Sequence, residues 1–189
     1  MAALDGSLTV YAQHVTIQLE PKQPGFLLFK RRRIQTHMTE PAPRFWEIFF
    51  EVYENLPRQG PGNRDCASKA LSLCSGLPEY PAILDLGCGV GGQTLQLAQM
   101  IPGSITAVDS HAPSIERLRT AVERNGLSHR VSAVVGDMAR LKMAPESFDL
   151  IWSEGALYSI GLADALCVCR KLLRPGGCLA FTLCLYWTL

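Results

Sequence analysis

The 189-residue chain has no run of about eighteen mostly apolar residues, the length a membrane-crossing helix needs, so no membrane span is expected. Its first residues lack a basic start followed by an apolar core, so no secretory leader is expected either. Charge of one sign is not in excess. Lys and Arg number 18 against 17 Asp and Glu, a formal net charge of +1, which gives no general drive toward nucleic acid or an anionic membrane. The chain has no C-x-x-C pair. Its seven cysteines, at 66, 74, 88, 167, 169, 178 and 184, are odd in number and scattered, several of them inside apolar runs. That pattern argues against a disulfide framework or a zinc site; Cys167-x-Cys169 is too close-spaced and isolated to hold a metal, and none is expected. A reducing compartment fits these cysteines, and the expected location is cytoplasmic. Internal repeats and low-complexity tracts are also lacking. What remains is a chain that is 48% hydrophobic and 19% charged, enough to bury a core as one domain with an extra arm.

Residues 1–40 read as that arm, poorly ordered. "LTVYAQHVTIQL" alternates weakly, as a strand does, but the Pro- and charge-rich stretch that follows breaks regular structure. The basic run Lys30–Arg33 reads as a solvated part of the arm. Met38 would make a natural chain start, which places residues 1–37 outside the functional domain as an expectation. Residues 41–78 are expected to form N-terminal helices and a covering loop: "RFWEIFFEVYENL" carries aromatics at helical spacing, "RQGPGN" (58–63) is a loop, and "RDCASKALSLCSGL" is an amphipathic helix. From 79 to 189 strands and helices alternate, with strands expected at 82–87, 104–109, 131–137, 148–155 and 178–187. The Arg174-Pro175-Gly176-Gly177 turn precedes the last of them. Strands this apolar suit a parallel sheet buried on both faces, and the alternation predicts a doubly wound, mostly parallel α/β sheet. Right-handed crossovers then put every strand's C-terminal end on one edge, where ligands bind.

The chemistry-bearing residues fall on that edge. "LDLGCGVGGQT" (84–94) reads as strand, glycine-rich turn and helix, and it admits two readings. Gly87, Gly89 and Gly92 spell the dinucleotide pattern; Asp85 with Gly87, Gly89 and Gly91 spells D-x-G-x-G-x-G. A carboxylate just before the turn is awkward beside a pyrophosphate and favourable beside an ammonium or sulfonium group. Asp109, about twenty residues after Gly87, stands where a carboxylate accepts from ribose hydroxyls. A simpler account makes Asp109 or Ser110 a helix cap. In Gly136-Asp137-Met138 the carboxylate can accept from an adenine amino group while the next N–H donates to a ring nitrogen; an exposed turn aspartate is the plainer alternative.

The stretch 82–182 resembles the class I S-adenosylmethionine-dependent methyltransferases. "ILDLGCGVGG" is similar to their glycine motif, "AVDSH" to their second-strand acidic position, "GDM" to their adenine-contact position and "LLRPGG" to the turn before their fifth strand. More narrowly, "RQGPGN", "GCGVGGQT" and "IWSEGALYSIG" resemble small, mostly bacterial enzymes similar to the quinone-biosynthesis C-methyltransferases. The resemblance implies a Rossmann-like methyltransferase fold, S-adenosylmethionine as cofactor and methyl transfer to a small-molecule acceptor. It further implies that Gly87, Gly89 and Gly91 let the backbone approach the methionine part and that Asp85 helps hold the ammonium end. Asp109 would take the ribose hydroxyls with Ser110 and His111 nearby, and Asp137 and Met138 would hold the adenine. Ser153, Glu154 and Gly155 would line the floor near the sulfonium, and Arg58 to Gly62, Gly60 among them, would close over the cofactor. Glu154 is the first candidate for a base, with Tyr158 and His111 behind it.

The family's sheet has seven strands, the last two an antiparallel hairpin after the fifth. This chain stops just past its fifth strand, so the expectation is a core truncated there, its C-terminal strands missing and its apolar fifth strand left with an unpaired edge, a route to self-association. A non-catalytic cofactor- or partner-binding module derived from the methyltransferase fold is the alternative function.

Overall fold

The computed structural model describes residues 8–11, 14–18, 43–53, 56, 58–60 and 62–182. Apolar, β-branched segments interrupted by glycine and by amphipathic stretches produce a seven-stranded sheet. Its strands are β1 (Leu8–Tyr11), β2 (His14–Gln18), β3 (Ala82–Leu86), β4 (Ser104–Asp109), β5 (Val131–Val135), β6 (Phe148–Glu154) and β7 (Leu173–Thr182). They lie in the order β1-β2-β7-β6-β3-β4-β5. β3 pairs parallel with β4 and β6, β4 with β5, and β6 with β7, so five parallel strands carry the expected doubly wound core.

The chain runs outward from β3 through α3 (Gly92–Met100), β4, α4 (Ala112–Arg124) and β5, then returns to the other side of β3 with β6, α5 (Leu162–Leu172) and β7. The direction of winding therefore reverses between β3 and β6, which opens a crevice at their C-terminal ends. Alternate residues of each strand face opposite layers. Ile83, Ile105, Ala107, Leu150 and Trp152 pack with Ala67 and Ala70 of α2 (Arg64–Leu73), Leu97 of α3 and Ile115 and Leu118 of α4. Leu84, Leu86, Val108, Ile151 and Leu179 pack instead with Ala165, Cys169 and Leu172 of α5. Asn63 caps α2 by accepting a 2.9 Å hydrogen bond from the Cys66 N–H, and the Cys74 thiol at its far end lies 2.6 Å from that of Cys178 in β7, both free. α1 (Pro43–Tyr53) forms as the aromatic spacing predicts; the side chains of Phe45, Trp46, Phe49 and Phe50 lie outside the described residues.

Two expectations are corrected. The fifth parallel strand, β7, does not have a bare edge: β2 pairs antiparallel along it, with Val15 opposite Phe181 and Gln18 opposite Cys178, and β1 pairs antiparallel with β2. Part of the N-terminal arm is therefore strand, and the sheet has seven strands although no strand is described after β7. The physical reason is that an apolar strand with unpaired N–H and C=O groups is satisfied by any stretch of suitable alternation, and "HVTIQ" supplies one from far away in sequence. The edge on which self-association was expected is thus occupied by this chain. The rest of residues 1–42 lies outside the described residues.

The second correction concerns β7, which begins at Leu173 rather than 178. Leu173 faces Phe148 and Cys178 faces Leu150, so Arg174–Gly177 form an outward excursion within the strand, with Gly176 left-handed at φ 81. Arg174 Nη1 donates to Asp149 Oδ2 at 2.7 Å, an oxygen that also accepts from the Ala82 N–H, tying the excursion to β6 and β3. Residues 183–187 of the expected strand lie outside the described residues. No helix among the described residues is long and apolar enough to cross a membrane.

Candidate functional site

β3 delivers Asp85 to the crevice and then turns sharply. Gly87, Gly89 and Gly91 adopt φ of 70, 54 and 83, values that side chains on Cβ disfavour. A Cβ on Gly87 would come within 2.2 Å of Ala156 Cβ, and one on Gly89 within 2.1 Å of Gln59 Oε1. The N–H groups of Gly87 and Cys88 donate to the Val108 carbonyl at 2.8 and 3.1 Å, fastening the turn to β4. Gly91 then opens α3 with no side-chain cap, so the helix's first N–H groups face the crevice without a capping side chain.

Asp85 is 2% exposed, and Thr94 of α3 donates a 2.6 Å hydrogen bond to its Oδ2. Burial lifts its carboxyl from 3.8 to about 7. The Thr94 bond works against this lift, the charges of Glu154 and Asp109 add to it, and Arg58 opposes it. Asp109 ends β4 and does two jobs: Oδ2 accepts from the Gly89 N–H and Oδ1 from the His111 N–H, each at 2.8 Å. It therefore holds the glycine turn and the start of α4 together, so the capping account of this residue describes one of its two oxygens.

Glu154 ends β6 beside them. Its Oε1 accepts from Trp152 Nε1 at 3.2 Å and its Oε2 from Arg58 Nη2 at 2.7 Å. Arg58 also donates to Gln93 Oε1 at 2.7 Å and Gln96 Oε1 at 2.9 Å, both on α3. Gly60 and Gly62 pack on this pair: a Cβ at either would lie 3.0 or 2.7 Å from Glu154 Oε2. Gln59 reaches over the glycine turn, accepting from the Val90 N–H at 3.2 Å while its Nε2 donates to the Tyr53 carbonyl at 2.8 Å. Arg58, Gln59, Gly60 and Gly62 thus lie against Glu154, α3 and the glycine turn.

Asp85, the glycine turn, Asp109, Glu154 and Gly60 are brought together. Ser153 is fully buried, and its hydroxyl donates to the Leu86 carbonyl at 2.8 Å, which ties β6 to β3. Met138 reaches toward the turn, its Cε 3.5 Å from where a Cβ on Gly87 would be. Asp137 stands on the same edge but exposed, accepting from the Ala139 N–H at 2.9 Å. His111 sits at the α4 N-cap position with Nδ1 3.0 Å from Ser114 Oγ, and Ser110 is exposed. Tyr158 is 59% exposed on the short helix Leu157–Ile160 that follows β6. Sequence reasoning missed Thr94, Gln93 and Gln96 as site residues. The two glutamines fall on α3 at helical spacing, and no local pattern marks them as partners of Arg58. A groove of about 410 Å3 lies between α3 and α4, lined in part by Val90, Gly92, Arg117 and Arg124, away from these carboxylates.

A family profile described as a methyltransferase domain matches residues 83–177. The chain is 32% identical over 103 residues to the sterol 24-C-methyltransferase of Aspergillus fumigatus, covering 54% of this chain and 27% of that one. It is 33% identical over 113 residues to the dimethylglycine N-methyltransferase of Parasynechococcus marenigrum, covering 59% of this chain and 40% of that one. The chain thus spans less than half the length of these curated relatives. A solved structure of the Haemonchus contortus phosphoethanolamine N-methyltransferase 2, in complex with phosphomonomethylethanolamine and S-adenosylhomocysteine, shares the fold. Its TM-score is 0.59 at 22% identity over 69% of this chain and 30% of that one. The matched segment runs from β3 into β7 and contains Asp85, the glycine turn, Asp109 and Glu154, and the chain belongs to the class I S-adenosylmethionine-dependent methyltransferases.

Proposed function

We propose that this domain binds S-adenosylmethionine at the β3–β6 crevice and directs its methyl group to a small-molecule acceptor. One observation carries the reading: three carboxylates, Asp85, Asp109 and Glu154, meet a glycine turn at the switch point, and Asp85 is buried so completely that its carboxyl titrates near 7. Such a site suits a ligand that brings positive charge, and an adenosyl sulfonium with an amino group does so.

The residues present fit the group. Asp85 lies where it would face the cationic end, and the glycine turn lets backbone approach that end closely. Asp109, with a lone pair left on each oxygen, stands at the end of β4 to accept from ribose hydroxyls. Asp137 and Met138, past the end of β5, would hold the adenine. When bound, the cofactor supplies a methyl group already activated on sulfur. The chain's contribution is then to exclude water and align the acceptor, and positioning of this kind contributes roughly 7–11 kcal/mol in favourable cases. Glu154 enters this reading as a fixed carboxylate, since Trp152 and Arg58 engage both of its oxygens. Tyr158, exposed beyond β6, is in this reading a candidate to meet the acceptor.

Calorimetric titration of the chain with S-adenosylmethionine and S-adenosylhomocysteine, with NAD as control, tests the reading. Saturable binding of the adenosyl ligands alone is expected. A folded chain that binds NAD, or none of the three, would remove it.

A further inference from the structure

Among the described residues, two buried donors in the crevice have no acceptor: Arg58 Nε and Gln93 Nε2. Gln93 is only 7% exposed, and its carbonyl oxygen is already taken by Arg58 Nη2 at 2.7 Å, so the side chain's amide group is fixed in place with its N–H pair unspent. Arg58 is likewise fixed. Nη1 donates one hydrogen to Gln96 and Nη2 both of its own to Gln93 and Glu154, which leaves Nε without a partner and one Nη1 hydrogen unspent. Buried donors left in this state call for an acceptor. Gln93 is the second residue of α3, whose first N–H groups have no side-chain cap, so the free donors stand at a helix end that favours an anion.

The site's other charges are the carboxylates of Asp85, Asp109 and Glu154, which suit cations. The amino-acid end of the cofactor carries both signs, an ammonium and a carboxylate. We propose that Arg58 and Gln93 hold the carboxylate of that amino-acid end, and that Glu154 acts as a positioning residue that keeps the Arg58 guanidinium in place. The assignment rests on the reading of the crevice as an adenosyl-cofactor site. It gives the loop at 58–62 a recognition role: Gly60 and Gly62 are glycines because a Cβ at either would press on the Glu154 carboxylate that anchors Arg58. It also makes this pair the determinant that separates a complete cofactor from an adenosyl thioether without the amino-acid end.

The test compares S-adenosylhomocysteine with 5′-methylthioadenosine, which has the same adenosine and sulfur but no amino-acid end. Calorimetric affinities are measured for the wild-type chain, Arg58→Gln, Gln93→Met and Glu154→Gln. Arg58→Gln is expected to weaken S-adenosylhomocysteine by about tenfold or more, as loss of a charge-assisted hydrogen bond does, and to leave 5′-methylthioadenosine within about threefold. Gln93→Met should shift the same ratio by less, and Glu154→Gln, acting through Arg58, should shift it in the same direction. Retained binding of 5′-methylthioadenosine shows that each variant is folded at the site. Equal weakening of both ligands, or no change in either, would overturn the assignment while leaving the cofactor reading intact. Failure of the wild-type chain to bind either ligand would overturn the cofactor reading itself, and the assignment with it.

Discussion

Asp85 carries a cost that its position explains. Its carboxyl titrates at 3.8 in an ordinary setting and at about 7 in the fold, chiefly because it is buried. Between those values the folded chain retains a proton that the unfolded chain releases, so stability falls as pH rises from about 4 to about 7 and then levels. Full ionisation would cost at most about 4 kcal/mol. Asp85→Asn keeps an acceptor for Thr94 and removes the charge; it should be more stable than the parent at pH 8 and equal to it near pH 4, as read by urea denaturation at both values. Gly91 is the other residue with a sharp expectation. It is left-handed, and a Cβ there would lie 2.0 Å from Leu118, which is fully buried. Gly91→Ala should lower stability by about 2–4 kcal/mol, the sum of backbone strain and overpacking, as a shift in the urea midpoint. Both residues were legible in the sequence, because a carboxylate and glycines at fixed spacing form a local pattern. Gln93 was not. A glutamine in the first turn of a helix looks like any solvated residue until tertiary packing sets Arg58 against it.

At the level of elements, the five parallel strands and the helices between them could be read from apolar runs broken by glycine, because each is specified by its own residues. The ends were less legible. "RPGG" looks like a turn that closes a helix, yet it is an excursion inside β7, since the ladder with β6 begins at Leu173 before the excursion and resumes at Cys178 after it. The β1–β2 hairpin escaped because nothing near it in sequence specifies its partner; only the bare side of β7 does. That gives a direct expectation. A chain without residues 1–18 should fold its parallel core but expose the β7 edge. Sedimentation velocity should then show concentration-dependent association that the full chain lacks, and a monomeric deletion variant would mean that β7 needs no cover.

For the whole molecule, the site's charge state and its ligand are linked. A cofactor that brings positive charge beside Asp85 favours the ionised carboxylate, so binding below pH 7 should expel a proton. Affinity for S-adenosylmethionine should therefore rise from pH 6 to pH 8 by up to about tenfold and flatten above. Titration at pH 6 in buffers of different ionisation enthalpy would count the proton, and Asp85→Asn should abolish both effects. The same distant pairing that hid the hairpin has a consequence in time. Val15 meets Phe181, so β2 is synthesised well ahead of the strand it pairs with. At about 5–20 residues per second, roughly ten seconds or more separate the two, and during that interval the hairpin has nothing to pair with. Closing so long a loop adds to the entropy cost of the last folding step. The nascent chain must assemble its parallel core before β1 and β2 can be put away, which leaves those two strands open to chaperones while the protein is being made.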